Sequence, residues 1–292
     1  MGSPSSDSTV ATTTASDGRT LAWASYGDPD GLAVLYFHGT STCRLDGGFF
    51  DAAATRAGVH LIAVDRPGSA RSDPHPGRRL IDWPSDVDAV ADALNIDRYV
   101  VTGMSGGGPH ALACAALNPQ RVIAAVPINS ATPNDPAFLR AAPAPMRVTP
   151  FLMRNVPPLG RAMLRAMGKA SGRPNMPSRG MPADWREVLA HDDIRAQFLA
   201  AREEGLRQTR TVWATEGALF WDPDGWGFDP IHLPVPVIGC SGVLDPSLEF
   251  TRRVVASSSP GSRMLELPGG HIHPLLPDVA QTVVDAMAAA GS

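Results

Sequence analysis

A nine-residue stretch, Val101-Thr102-Gly103-Met104-Ser105-Gly106-Gly107-Gly108-Pro109, carries the clearest pattern in this sequence. It places Gly-x-Ser-x-Gly directly after an apolar run and directly before a predicted helix. In that context Ser105 lies on a sharp turn between a strand and a helix, and the glycines let neighbouring chain segments pass closely. The helix start also points N–H groups toward any negative charge that develops there. We therefore interpret Ser105 as a nucleophile; the alternative is an ordinary structural turn.

The segments on either side of this stretch alternate between apolar strands and helices. Strands are predicted over 10–14, 20–26, 32–37, 59–64, 99–102, 122–128, 235–238 and 264–267. Helices are predicted over 47–57, 83–94, 109–118, 248–256 and 277–290. Runs that are apolar at nearly every position are typical of strands buried on both faces. Strands alternating with helices predict an α/β fold with right-handed crossovers and a mostly parallel sheet.

The alternation of apolar strands and helices is interrupted between residues 131 and 232. The chain there is rich in Pro, Met and Arg, and its apolar residues have the spacing of helices. We therefore predict three parts: a first core segment over 1–130, an inserted helical cap over 131–232, and a second core segment over 233–292. Such an insertion lies over the carboxyl edge of the sheet, where ligands bind in open α/β folds.

Composition and charge exclude several classes of protein. The 292 residues are 43% hydrophobic, which is enough for a sizeable core, and the formal net charge is −4 with no basic stripe. We therefore expect no nucleic acid and no membrane as a partner. No stretch approaches the roughly 18 apolar residues of a membrane span, and the first 17 residues do not resemble a signal peptide.

The cysteines indicate the compartment. Cys43, Cys114 and Cys240 are odd in number, widely spaced and without metal-ligand spacing, and the last two lie in apolar or Ala-rich runs. Free cysteines of this kind are typical of a reducing environment, so we predict a cytoplasmic protein without a metal site. The oligomeric state is not predicted.

A nucleophilic serine needs a base and an acid that orients the base. His271 follows the predicted strand 264–267 in the loop Leu267-Pro268-Gly269-Gly270-His271, and Asp245 follows the strand 235–238 by a few residues. Both residues fall at the carboxyl edge of the sheet, where Ser105 also lies, and the order Ser-Asp-His is one that a known hydrolase architecture uses. Taken singly, His271 is better explained as a histidine of a surface loop, and Asp245 as a helix cap or a turn residue before Pro246. It is their coincidence with Ser105 at one edge of the sheet that favours a triad. His273 is the rival base.

The proposed chemistry also needs two N–H donors for an oxyanion. We predict the backbone N–H of Gly106, directly after the nucleophile, and that of Thr40, in the loop His38-Gly39-Thr40 after the strand 32–37. We expect His38 itself to pack structurally.

These residues together resemble the α/β-hydrolase superfamily over about residues 18–290. The resemblance is carried by His38-Gly39, the run Asp65-Arg66-Pro67-Gly68-Ser69-Ala70-Arg71-Ser72, the serine turn, Asp245 and Gly270-His271. It implies an eight-stranded sheet and hydrolysis of an ester, thioester, amide or carbon–carbon bond without a cofactor. A serine where some relatives carry aspartate argues against haloalkane dehalogenase or epoxide hydrolase chemistry.

The substrate is predicted only as a small hydrophobic molecule. Candidate contacts are Met104, His110, Trp213, Phe220 and Trp221, although packing explains His110 as well and the tryptophans could form the core of the cap. The leading hypothesis is an esterase-like serine hydrolase that works through an acyl-enzyme. The alternatives are a cofactor-free lyase, isomerase or cyclase of natural-product metabolism, and a small-molecule receptor with slow or lost hydrolysis. An aminopeptidase would need acidic cap residues, for which Glu203, Glu204 and Glu216 are available.

Overall fold

A computed structural model describes residues 10–132, 135–141, 144–171, 182–209, 212–222 and 225–291. Within these ranges eight strands form one sheet. The strands are β1 (Ala11–Thr14), β2 (Thr20–Gly27), β3 (Leu32–Phe37), β4 (Val59–Val64), β5 (Tyr99–Met104), β6 (Val122–Ile128), β7 (Ile238–Gly242) and β8 (Arg263–Leu267). Their order is β1-β2-β4-β3-β5-β6-β7-β8, and the pairs β1–β2 and β2–β4 are antiparallel while the others are parallel. The predicted mostly parallel, eight-stranded α/β fold is confirmed.

Helices cover both faces of the sheet, because alternate residues of the strands point to opposite sides. The flanking helices are α1 (Asp51–Ala57), α2 (Trp83–Ala93), α3 (Gly107–Leu117), α10 (Leu248–Ser257) and α11 (Pro277–Ala290). One apolar cluster joins Val34 and Tyr36 of β3 to α1 and α11, and a second joins Leu35 and Phe37 to α2, α3 and α10. The central strands are apolar at nearly every position because helices cover both faces of the sheet.

The described part of the chain between β6 and β7 contains six helices joined by irregular segments. Its helices are α4 (Pro136–Ala141), α5 (Ala144–Asn155), α6 (Pro157–Ser171), α7 (Ala183–Val188), α8 (Asp192–Gly205) and α9 (Val212–Phe220). We call this segment the insertion. Its limits at 131 and 232 and its status as a separate cap stay predictions. Among the described residues, every helix is too short or too polar to cross a bilayer.

Two predicted elements differ from the structure by more than two residues at an end. The strand expected over 235–238 is β7, Ile238–Gly242; Val237 makes a single bridge to Ala125, because the neighbouring Pro236 has no N–H to donate to a ladder. The helix expected from residue 47 begins as the 3-10 turn Arg44–Phe49, and α1 starts only at residue 51. Cys43, Cys114 and Cys240 are all buried and form no disulfide.

Candidate active site

The turn between β5 and α3 holds Ser105 in a strained backbone conformation. Its φ is 54°, in the left-handed region that non-glycine residues rarely adopt. The Ser105 N–H donates to the carbonyl of Ile128 at 2.9 Å, and its own carbonyl accepts from the N–H of Gly108 at 3.0 Å and of Ala131 at 2.8 Å. The strain is therefore held by hydrogen bonds from both sides, as is typical of a functional turn.

The glycines of this turn are needed because chain segments cross closely there. A Cβ on Gly103 would overlap the carbonyl of Gly107, and a Cβ on Gly107 would overlap the carbonyl of Phe37 at the end of β3. The crossing brings the start of α3 against the loop after β3. Ser105 thereby lies beside the segment that carries Thr40.

A continuous hydrogen-bonded line joins Ser105, His271 and Asp245. The Ser105 Oγ lies 2.9 Å from His271 Nε2, and His271 Nδ1 lies 2.6 Å from Asp245 Oδ2. An imidazole that donates from Nδ1 to the carboxylate leaves Nε2 free to accept the serine proton. The second oxygen of Asp245 accepts the N–H of Ser247 at 2.7 Å, which fixes the carboxylate. The structure thus brings together the three residues that the sequence singles out.

Electrostatics favour a charged acid beside the base. Burial raises the pKa of Asp245, but the His271 imidazole and hydrogen bonds from Ser247 outweigh it, so the pKa of Asp245 lies below its usual value. Burial lowers the pKa of His271, but the carboxylates of Asp245 and Asp184 outweigh that effect and the net pKa is raised. His271 is therefore a stronger base than an isolated imidazole.

Asn129, which follows β6, holds the histidine loop and was not singled out from the sequence. Its side-chain amide donates to the carbonyls of His271 at 2.8 Å and Gly270 at 3.2 Å, while its Oδ1 accepts the N–H of Gly242 at 2.8 Å. Its φ is 42° and its side chain is buried. An asparagine directly after a buried strand is the available sequence signal, because asparagine tolerates this conformation better than most residues.

The two predicted oxyanion donors lie side by side. A Cβ on Gly106 would be 3.2 Å from the backbone nitrogen of Thr40 and would overlap the Thr40 hydroxyl. Among the described residues, neither the Thr40 N–H nor the Gly106 N–H has a backbone acceptor in the loops and turns. Two N–H groups beside the serine are available for an incoming oxygen.

A buried ion network borders the loop that carries Thr40. Glu216 of α9 receives hydrogen bonds from Arg66 (Nε to Oε1 2.9 Å, Nη2 to Oε2 2.6 Å) and from Arg78 (Nη2 to Oε1, 3.0 Å). The Thr40 hydroxyl donates to Oε2 of the same carboxylate at 3.2 Å. Glu216 is 1% exposed. One carboxylate of the insertion therefore joins two arginines of the core to the loop of the predicted donor.

The histidines near the site have structural contacts. His38 is buried; its Nδ1 donates to the carbonyl of Gly39 at 2.8 Å and its Nε2 accepts the N–H of Arg66 at 3.1 Å. The Nδ1 of His273, the rival base, accepts the N–H of Gly270 at 3.0 Å. His110 Nδ1 donates to the carbonyl of Gly106 at 2.8 Å, and its Nε2 lies 3.1 Å from an Arg78 nitrogen.

The other candidate substrate contacts are mostly buried. Met104 belongs to the cluster on one face of the sheet, Phe220 packs with Leu219 and other apolar residues, and Trp221 packs with further residues of the insertion. Their exposures are 5%, 3% and 2%, so these side chains are not open to a substrate in this arrangement. The side chain of Trp213 lies outside the described residues. These substrate contacts stay predictions.

One cavity of about 350 Å³ lies beside the ion network. It is lined by residues of the loop after β4, by Arg78, and by Val212, Thr215 and Glu216 of α9, and it includes none of the three residues of the hydrogen-bonded line. Met104 and Trp221, which we predicted as substrate contacts, do not line this cavity.

Known proteins resemble the chain in sequence and in fold. The model of the alpha/beta hydrolase fold family matches residues 33–162. A non-heme chloroperoxidase of Streptomyces lividans is 34% identical over 42% of this chain and 46% of its own length. A proline iminopeptidase of Neisseria gonorrhoeae is 30% identical over 44% of this chain and 43% of its own length. The chain thus matches less than half the length of these relatives.

The likeness in fold extends over nearly the whole chain. The crystal structure of a hydrolase from Pseudomonas aeruginosa PA01 superimposes with a TM-score of 0.69 and 19% sequence identity, covering 96% of this chain and 98% of that one.

Proposed function

We propose that the chain belongs to the α/β-hydrolase superfamily and is a serine hydrolase that cleaves a hydrophobic ester or a related acyl bond. The observation that carries this proposal is the line Ser105–His271–Asp245, with distances of 2.9 and 2.6 Å. Such an arrangement activates a serine hydroxyl for attack on an acyl carbon.

In the proposed reaction His271 Nε2 takes the Ser105 proton while Oγ attacks the carbonyl carbon of the substrate. The carbonyl oxygen becomes an oxyanion, which accepts hydrogen bonds from the N–H groups of Thr40 and Gly106. The imidazolium returns its proton to the leaving alcohol, and an acyl-enzyme remains. A water molecule, deprotonated by His271, then releases the acid. Asp245 holds the imidazole in the required tautomer and stabilises its charged form.

The acidic residues of the insertion favour an acyl ester over a substrate with a free ammonium group. An aminopeptidase needs an unpaired carboxylate to receive that ammonium. Glu216 is bound by two arginines, and Glu204 lies 3.3 Å from Arg44 Nη1 and 2.8 Å from Arg71 Nε. Glu203 is on the exposed side of α8. Although several relatives are proline iminopeptidases, the carboxylates of Glu204 and Glu216 here are already paired with arginines.

The test combines a covalent probe with turnover. A fluorophosphonate probe should label the protein at Ser105, and p-nitrophenyl esters from acetate to decanoate should be hydrolysed. Ser105→Ala should abolish labelling and lower kcat/KM by about 10³-fold or more. Turnover within tenfold of the wild type would refute the role of Ser105. Labelling without turnover of any ester would favour the receptor or the lyase, isomerase or cyclase alternatives.

A further inference from the structure

Helix α7 of the insertion lies directly against the loop that carries His271. The Oδ2 of Asp184 accepts the backbone N–H of His271 at 3.2 Å. The ring of the next residue, Trp185, lies parallel to the imidazole, with an interplanar angle of 6° and 6.2 Å between centroids. A Cβ on Gly270 would overlap the Asp184 carboxylate, so the glycine before the histidine makes room for this contact. Two adjacent residues of the insertion therefore contact the base.

Trp185 is itself fixed from behind. Its ring meets that of Phe198 of α8 edge to face, with 5.9 Å between centroids and an angle of 84°. It also packs against the apolar cluster that contains Val188 and Ile194. The edge-to-face contact with Phe198 stabilises the orientation of the Trp185 ring beyond what burial alone provides. The imidazole therefore lies beside a ring whose position is fixed.

The charged groups around the imidazole come from two elements. Asp245 faces Nδ1 from the segment after β7, and Asp184 faces the backbone of His271 from α7. Glu187, one turn further along α7, lies 3.6 Å from the neighbouring His273. Both aspartates favour the protonated imidazole and thereby raise the pKa of His271, against the opposite and larger single effect of burial.

Asp245 alone does not fix the base. A hydrogen bond to Nδ1 sets the tautomer but leaves the imidazole free to tilt about that bond and away from Ser105. The parallel Trp185 ring restricts that tilt, and the Asp184 carboxylate fixes the backbone from which the side chain starts. Displacements of about 1 Å at a reacting group can cost about 10²-fold in rate.

We propose that Asp184 and Trp185 are positioning residues for His271, so that the docking of α7 on the core sets the base for catalysis. This inference rests on the serine-hydrolase function proposed above. The two residues lie on a helix whose sequence gives no sign of a catalytic role. If they position His271, the insertion is part of the catalytic arrangement as well as a cover.

The test separates the charge of Asp184 from its hydrogen bond. Asp184→Asn removes the charge and keeps an acceptor, and Asp184→Ala removes both. Asp193→Asn, on the exposed first turn of α8, is the matched control for loss of a carboxylate from the insertion. For each variant we would measure kcat and KM for p-nitrophenyl acetate, and the rate of inactivation by the fluorophosphonate, from about pH 5 to about pH 9.

The active form of His271 is unprotonated, so removing a carboxylate that raises its pKa should move the acidic limb of both profiles to lower pH. We expect this shift in Asp184→Asn and in Asp184→Ala but not in the control. Asp184→Ala should also lower kcat about tenfold with KM unchanged, the factor expected for one lost hydrogen bond to a positioned group. Trp185→Ala should lower kcat without moving the limb, and Trp185→Phe should restore most of it.

The proposal is overturned if Asp184→Ala has the same acidic limb and kcat as the control. It is also overturned if the variants change only the melting temperature, since a merely structural role would do that. Failure of the proposed function looks different: the wild type itself would neither be labelled nor turn over esters. In that case an NMR titration of the His271 imidazole still tests the effect of Asp184, and an unchanged pKa in Asp184→Asn would overturn it.

Discussion

Replacing Glu216 by glutamine should destabilise the protein strongly. The substitution keeps the shape of the side chain but leaves the buried Arg66 and Arg78 without their shared carboxylate. Burial already lowers the pKa of Arg78, and Glu216 opposes that effect. Removing one partner of a buried ion pair costs about 3–5 kcal/mol, out of a total stability of about 5–15 kcal/mol. At roughly 2–4 °C for each kcal/mol, the melting temperature should fall by roughly 6–20 °C.

The matched control is Glu249→Gln, which removes the same charge from an exposed pair. Glu249 contacts Arg252 on the surface of α10, where the side chains are 58% and 43% exposed. Solvent screens such a pair, so the control should change the urea midpoint very little. Both variants would be followed by tryptophan fluorescence during urea unfolding and by thermal melting. If Glu216→Gln lost no more stability than Glu249→Gln, the buried network would not hold the insertion to the core.

Three further predictions concern single side chains. Asp245→Asn should lower kcat/KM for p-nitrophenyl esters by about 10⁴-fold, whereas Asp229→Asn, whose carboxylate contacts the exposed His232, should not; the opposite result would move the acid to Asp229. Burial raises the pKa of Asp46 from 3.8 to about 7. Between pH 4 and pH 7 this carboxyl therefore ionises in the unfolded chain but not in the folded one, and the wild type loses stability as the pH rises. Asp46→Asn should therefore gain stability relative to the wild type between pH 4 and pH 7, by about 1.4 kcal/mol for each pH unit, and a pH-independent difference in urea unfolding would contradict this. Trp221→Ala should cost about 3–5 kcal/mol in urea unfolding and affect acetyl and decanoyl esters alike, because the ring packs within the insertion; a loss confined to the long ester would show contact with substrate.

The parts of the fold that could be predicted from the sequence are those with an unbroken apolar run. The strands β3, β4 and β6 have the predicted bounds, because both of their faces are largely buried and nearly every position is apolar. The strand β7 was misplaced because it contains Gly239 and Gly242, which resemble a loop. A Cβ on Gly239 would clash with Thr251 of α10, so the helix packs there only because the side chain is absent.

Some residues of the candidate site could be predicted from local sequence patterns and others could not. Ser105, His271 and Asp245 each follow a recognisable strand, so their position at one edge of the sheet could be predicted from the sequence. Asn129 and Asp184 could not be, because their partners are 142 and 87 residues away along the chain and no local pattern links them. A carboxylate on a helix has the same appearance in a sequence whether it faces water or a buried arginine.

The burial of the three cysteines makes the chain convenient for spectroscopic distance measurements. Burial raises the pKa of Cys43 and Cys114 well above the usual value and that of Cys240 to about 12, so thiol reagents should leave all three unmodified in the folded protein. Spin labels attached at Leu159→Cys on α6 and Leu117→Cys at the end of α3, both exposed positions, would then report the separation of insertion and core in solution, with the native thiols left in place.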